Sequence, residues 1–221
     1  FSKDPADYLA EGYAATVDNG KYVVAVDDGI NTEAELIAAL EAGGEVTLAG
    51  DITLAQQVII PADKEVVLNL NGKTLNLNYA ENYTIVVKGE LTVNGEGTVN
   101  VSYFGLSVGY NSAGKLTVNG GEFVAAEACD YIIGGFGAEG SKIIINDGTF
   151  TGDYCVVNNF VGEYDLDGVV EIKGGTFTTS EEDDGYECAD IMGENVTVTG
   201  GTFSKDPVDY LAEGYAATVD N

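Results

Sequence analysis

The chain has no arginine, no histidine and no tryptophan. Without arginine it lacks the planar, permanently charged fork that grips phosphates and carboxylates. Without histidine it lacks the usual acid–base group near neutral pH and the commonest zinc ligand. Basic residues are scarce altogether: nine lysines stand against thirty-seven acidic residues, a formal net charge of −28. A small domain ordinarily carries a charge of magnitude about 2–8. Such a field repels phosphate backbones and anionic lipid, so neither nucleic acid nor a membrane surface is expected as a partner. No apolar run reaches eighteen residues, which excludes membrane insertion by a helix. There is no signal peptide and no initiator methionine, and the chain opens at Phe1 in mid-motif, as a piece of a longer protein would. Three cysteines, an odd number, do not read as a disulfide framework and are expected as buried free thiols. Three prolines against thirty glycines suit many short strands joined by tight turns.

What the chain does have is repetition. Residues 1–19 recur at 203–221, an offset of 202, with only Ala6 against Val208 different. Near identity of that length implies a parent with tandem units of about this size. The expected division is a segment 1–26 (helix plus hairpin) closing the preceding unit, a β-helix over 27–203, and a truncated cap over 204–221 that repeats 2–19.

A shorter period lies inside the long one. Gly-Gly-(Glu/Thr)-Phe occurs at 120–123, 174–177 and 200–203, with Asp147-Gly148-Thr149-Phe150 as a variant. The closing apolar residues Leu75, Val99, Phe123, Phe150, Phe177 and Phe203 are spaced 24, 24, 27, 27 and 26. Each follows an alternating run such as Leu116-Thr117-Val118 or Val170-Glu171-Ile172, the pattern of a half-buried strand. One unit repeating in the same order stacks parallel, so each apolar residue should lie about 4.8 Å above its predecessor. The spacing predicts an all-β, right-handed parallel β-helix with about 24–27 residues per coil. Asn71, Asn94, Asn119 and Asn146, one per coil, predict an internal asparagine ladder, broken at Lys173 and Thr199. Ile132-Ile133, Val156-Val157 and Ile191-Met192 mark a second strand.

An open solenoid end must be covered. Residues 32–42 predict an N-terminal capping helix: Thr32 and Glu35 form a capping box, Leu36, Ile37 and Leu40 share a face, and Gly43-Gly44 end it. At the other end, Asp206-Pro207 predicts a short helix stopped by Gly214, and Asn19-Gly20 in the first copy predicts a hairpin turn.

The cap, the stretch GGEVTLAGDITLAQQVIIPADKEVVLNLNGKTLNL, the GGTF coils and the FSKDPxDYLAEGY ending together resemble β-helix repeat domains of Gram-positive bacterial surface proteins. The resemblance covers essentially the whole chain. It implies a secreted protein at the bacterial cell surface, adhesin-like, in a group where some members from gut bacteria capture host molecules, immunoglobulins included.

Many parallel β-helices cleave polysaccharides, but lyases of that fold typically use arginine or lysine, and hydrolases pair clustered aspartates with histidine and basic groups. With arginine and histidine absent, no catalytic residues are expected and the chain is read as a non-enzyme. A degenerate polysaccharide lyase or hydrolase is the alternative, since carboxylate pairs alone can serve glycoside chemistry. Asp165-Leu166-Asp167-Gly168 and Glu181–Gly185 have oxygens that calcium could use, yet match no calcium-loop pattern. They are read as solvated acidic loops, with no metal and no cofactor expected. The row Thr92, Thr117, Ile144, Glu171, Thr197 is too irregular for an ice-binding face.

What remains is recognition by loops. Insertions that lengthen the later coils carry Tyr154, Phe160, Tyr164, Asp165, Asp183, Asp184, Tyr186 and Glu187. Tyrosine among glycine and acidic residues gives rigid, amphipathic contact area. The expected function is a binding or adhesion repeat recognising a host protein (an immunoglobulin being one possibility) or a glycan, with adjacent repeats of the same chain as further partners. A structural stalk is the competing reading, in which these tyrosines only pack along the flank.

Overall fold

The computed structural model of the chain describes every residue except 1, 6, 7, 9–12, 27, 28, 128, 161–166, 181, 184, 185, 220 and 221, together with the side chains at all described positions but 13, 14, 16, 18, 25, 26, 182, 183, 186 and 187. It is a parallel β-solenoid of about six turns with a single α-helix among the described residues.

Each coil contributes strands to three parallel rows. The first row runs through Gly44–Thr47, Glu65–Asn69, Glu90–Asn94 and the start of Lys115–Ala125, then Lys142–Thr151, Val169–Ile172 and Val196–Val198. The second runs from Ile52–Leu54 through Thr74–Leu77 and Thr98–Val101 to the ends of the two long strands, then Thr176–Thr178 and Thr202–Phe203. The third stacks Val58–Ile60, Ile85–Val87, Phe104–Val108, Tyr131–Gly135, Cys155–Asn159 and Ala189–Gly193. Alternation inside each strand sends one set of side chains inward, such as Leu116 and Val118, Phe123, and Leu106 and Val108, all buried in one continuous core.

The register of the short repeat is the expected one. Leu75, Val99, Phe123, Phe150, Phe177 and Phe203 are successive partners in the second row. From Phe123 onward their rings stack with centroids 4.9, 4.9 and 4.8 Å apart and planes within 15°. The glycine two residues before each phenylalanine explains the motif. At Gly148 the backbone has φ 128°, and a Cβ built there would lie 3.2 Å from the Phe150 ring and 3.2 Å from the carbonyl oxygen of Gly121 one coil below. The missing side chain leaves the space the ring edge fills.

The asparagine ladder exists, but its lower rungs differ from expectation. Nδ2 of Asn146 donates to Asn119 Oδ1 at 2.7 Å, Asn119 to Asn94 at 2.8 Å, and Asn94 to Asn69 (not Asn71) at 3.3 Å. Asn71 instead occupies a turn at φ 53° and donates to the Leu48 carbonyl at 2.9 Å. Nor is the ladder internal: Asn119 and Asn146 are exposed, each following a strand residue, Val118 or Ile145, that is buried in the core.

The helix, Glu33–Ala42, has the predicted capping box at Thr32 and Glu35. Leu36 and Leu40 are buried against the first coil, and Glu33 accepts a hydrogen bond from the Ala55 amide at 2.7 Å. The hairpin Tyr13–Asp18 with Lys21–Val26 turns through Asn19 and Gly20 at φ 47° and 75°. The C-terminal helix is shorter than expected, a single 3-10 turn over Val208–Tyr210. Its N-cap is Pro207, without a side-chain cap; Asp206, one residue earlier, accepts from the Val208 amide at 3.1 Å, and Gly214 follows at φ 86°. Within the turn Tyr210 packs partly buried against the core, while Val208 stays exposed.

Candidate functional site

The third row of strands has an unusual outer face. Val86, Ser107, Gly134, Asn158 and Met192 are successive partners there, alternating with core residues such as Val87, Ile133 and Val157. Pointing away from the core, they should be wet, yet Val86, Ser107 and Asn158 are buried. Aromatic rings lie over them. Tyr83 packs on Phe104 at 5.3 Å between centroids and on Phe136 at 5.5 Å. Phe136 stacks on Phe160 at 4.3 Å with planes 12° apart, and Tyr110 meets Phe136 in a T-shaped contact at 6.0 Å. Phe160 contacts Tyr131 at 5.2 Å, and Tyr131 contacts Tyr154 at 5.9 Å, both T-shaped.

Gly134 makes this layer possible. A Cβ there would come within 2.4 Å of the Tyr83 hydroxyl oxygen and 2.8 Å of the Phe136 ring, so any side chain would push the rings off the sheet. The layer is held by polar contacts too. Asn158 hydrogen-bonds the Tyr131 side chain, while burial is the main cause pushing the Tyr131 phenol upward. The Tyr83 phenol is driven well above its usual range, first by burial. Beneath the rings, Ser107 Oγ has no hydrogen-bond partner among the described residues. The outer ring edges remain partly exposed, and Tyr110 is 52% exposed.

Two of the loop residues singled out from the sequence, Tyr154 and Phe160, belong to this layer, both half-buried. Asp183, Tyr186 and Glu187 lie in a small antiparallel hairpin, Glu182–Asp183 with Tyr186–Glu187, in which Asp183 pairs with Tyr186. Tyr164, Asp165 and Asp184 lie outside the described residues. Sequence reasoning missed Tyr83, Phe104, Tyr110, Tyr131 and Phe136. A signal existed in the strand register, because Phe104 and Tyr131 occupy the same place in consecutive coils and Gly134 follows Tyr131 by three.

Asp190 and Glu171 are engaged in structural roles. Asp190, buried, accepts from Thr179 Oγ1 at 3.1 Å, Ser204 Oγ at 2.9 Å and the Lys205 amide at 2.9 Å, tying three segments together. Glu171 pairs with Lys142 of the neighbouring coil at 2.6 Å and with Lys173 of its own coil at 3.1 Å, and the hydrogen bonds from these lysines hold its carboxyl below the usual range. Cys129, Cys155 and Cys188 are buried. Burial pushes the Cys129 thiol up to about 12 and the Cys155 thiol upward as well. Among the described residues, no three His, Cys, Asp or Glu side chains converge as a metal site. None of the helices in the described residues is long and apolar enough to cross a membrane.

Comparison with family models, with curated proteins and with solved structures gave no match to the chain.

Proposed function

We propose that the chain is a non-enzymatic binding and adhesion module of a tandemly repeated, secreted bacterial surface protein, and that it recognises a host protein or glycan through the aromatic flank and the loops that extend from it. One observation carries this reading: seven aromatic side chains form a connected, partly exposed layer on the outer face of a sheet that needs no covering to complete its core. Half-exposed Phe and Tyr anchored from below offer contact area at little cost in conformational entropy, the usual make-up of binding hot spots. Tyrosine hydroxyls beside ring faces suit sugar rings and peptide side chains alike. The net charge of −28 favours neutral or basic ligands over acidic ones. Adjacent repeats of such a module would multiply weak contacts into avidity.

The test is binding of the intact chain to an array of host proteins, immunoglobulins among them, and neutral and acidic glycans. A hit whose affinity falls at least about tenfold in Phe160→Ala and Tyr110→Ala, with melting unchanged in the latter, supports the flank as the site. Binding unaffected by either change moves recognition elsewhere. Failure to bind anything favours a stalk, and release of sugar from a polysaccharide would establish an enzyme.

A further inference from the structure

Charge is distributed unevenly around the aromatic flank. Residues 89–172, which supply six of its seven rings, hold twelve acidic residues and two lysines, Lys115 and Lys142. Both lysines lie on first-row strands and both are engaged there: Lys115 with Glu90 at 3.0 Å, and Lys142 with Glu171 at 2.6 Å. Lys173 adds a second bridge to Glu171 at 3.1 Å. The lysines of these coils are thus spent on the first-row face. On or directly beside the third-row strands, the described residues carry one lysine, Lys88, which follows Ile85–Val87 in the coil below Tyr110.

Carboxylates gather at the margins of the rings instead. Asp130 directly precedes Tyr131 and is exposed. Asp153 directly precedes Tyr154 and accepts from Ser180 Oγ at 2.8 Å. Beyond the other ends of the same strands, the Asp167 amide donates to the carbonyl of Gly137, next to Phe136, at 3.2 Å. The Glu194 carbonyl accepts from Asn159, next to Phe160, at 2.7 Å. Both of these acids are exposed. The Asp130 charge reaches the rings: after burial, it is among the causes that push the Tyr131 and Tyr83 phenols up. An apolar layer with acids at its edges suits a guanidinium better than any other common group. That side chain packs against aromatic rings, sheds water more readily than an ammonium, and presents a flat fork of donors to a carboxylate. A neutral sugar would use the rings alone and leave the acids to water.

We propose that the partner of the flank is a basic protein surface, recognised through arginine side chains that lie against the rings and pair with Asp130 and Asp167 at the two margins. This rests on the flank being the binding site, and it narrows the partner from a host protein or glycan to a protein with exposed arginine. The net charge of −28 draws such a partner in from a distance and turns acidic ones away. That field treats arginine and lysine alike. The rings do not, because only the guanidinium is flat and weakly hydrated enough to pack on them. A preference for arginine is therefore the signature of the flank as distinct from the charge of the whole molecule.

Calorimetric titration of the intact chain tests this, with a hexa-arginine peptide, a hexa-lysine peptide and a neutral glucose oligosaccharide as probes at about 0.15 M salt. The arginine peptide should bind at least about fivefold more tightly than the lysine peptide, and both should weaken at about 1 M salt. Asp130→Asn with Asp167→Asn should weaken the arginine peptide at least about tenfold. Tyr110→Ala, at a ring that is 52% exposed, should remove the preference for arginine and keeps the test open if the paired acid variant fails to fold. Glu65→Gln with Glu96→Gln removes the same charge from two exposed acids away from the third row, and should change affinity less than about twofold. Equal affinity for the two peptides, or equal losses in the two paired variants, would reveal only the field of the whole molecule and overturns the proposal. So does an arginine peptide that fails to bind. If the sugar binds in its place and Tyr110→Ala weakens it, the flank remains the site and only the partner assigned here is wrong.

Discussion

Removal of one ring from the phenylalanine stack gives a graded prediction. Phe150 is fully buried and stacked on both faces, on Phe123 and on Phe177, each at 4.9 Å. Phe150→Ala forfeits the transfer energy of the side chain and leaves a cavity, together about 3–5 kcal/mol in cores of this kind. Two ring contacts add about 0.5–1.5 kcal/mol each beyond area, which places the loss near the upper end of that range. The cavity cannot collapse easily, because the coils above and below are fixed by the second-row ladder. Phe203 has one stacked neighbour, Phe177 at 4.8 Å, and is only partly buried, so Phe203→Ala should cost about 1–2 kcal/mol. Urea unfolding followed by far-ultraviolet circular dichroism measures both. The slope must be compared as well as the midpoint, since losing a coil can split a solenoid into separately unfolding parts. Equal costs for the two variants, or less than about 1 kcal/mol for Phe150→Ala, would refute the stacked-core account.

The remaining expectations concern groups with simpler surroundings. Glu171 is held in its charged form by Lys142 and Lys173, so its folded pKa lies below its unfolded one. The stability it contributes is therefore present above the unfolded value and lost as pH falls through the folded one; with side chains about a third exposed it should amount to no more than about 1 kcal/mol. Glu171→Gln should flatten the acid limb of melting temperature against pH, and an unchanged limb counts against the ion cluster. Native protein should resist a thiol-specific reagent and expose all three cysteines only in denaturant; one fast stoichiometric thiol would show that a cysteine is not buried. Asn119→Ala removes two rungs of an exposed ladder and should cost about 1 kcal/mol by thermal denaturation. A loss above about 3 kcal/mol would mean that the ladder carries core-like weight.

Much of the fold was legible because a solenoid writes its geometry into its period. A closing residue every 24 to 27 positions is a stacking register, and the coordinates pair those residues one for one. The capping box at Thr32 and Glu35 was equally legible, since it depends on local spacing alone. Asn71 misleads because, like Asn94 and Asn119, it directly precedes the glycine of a corner. The rung is set instead by position within the first-row strand, where Asn69 faces Asn94. The short C-terminal helix does not reach its stop signal at Gly214: Leu211 packs on the core and bridges Val198, which ends the turn at Tyr210.

The candidate site was less legible, and the reason is physical. Tyr154 and Phe160 were found because they lie in insertions that interrupt the period, whereas Phe104 and Tyr131 keep the period and so look like structure. Tyr83, Tyr110 and Phe136 lie at or near strand ends in different coils, far apart in sequence, and only the stacking brings them onto one surface. The decisive residue has no side chain at all. Gly134 stands in a row with Val86, Ser107 and Asn158, where a strand would ordinarily carry a polar or β-branched residue facing water. Its bare Cα lets Tyr83 and Phe136 settle on the sheet, and they in turn support the Phe160 and Tyr131 rings. Gly134→Val, with its outward Cβ 2.4 Å from the Tyr83 hydroxyl oxygen, should lift this layer while leaving the inward-facing core in place. Near-ultraviolet circular dichroism would then lose much of its tyrosine signal with the far-ultraviolet spectrum unchanged. If both spectra stay as in the parent, the rings do not rest on Gly134 and the flank is not the supported surface argued for here.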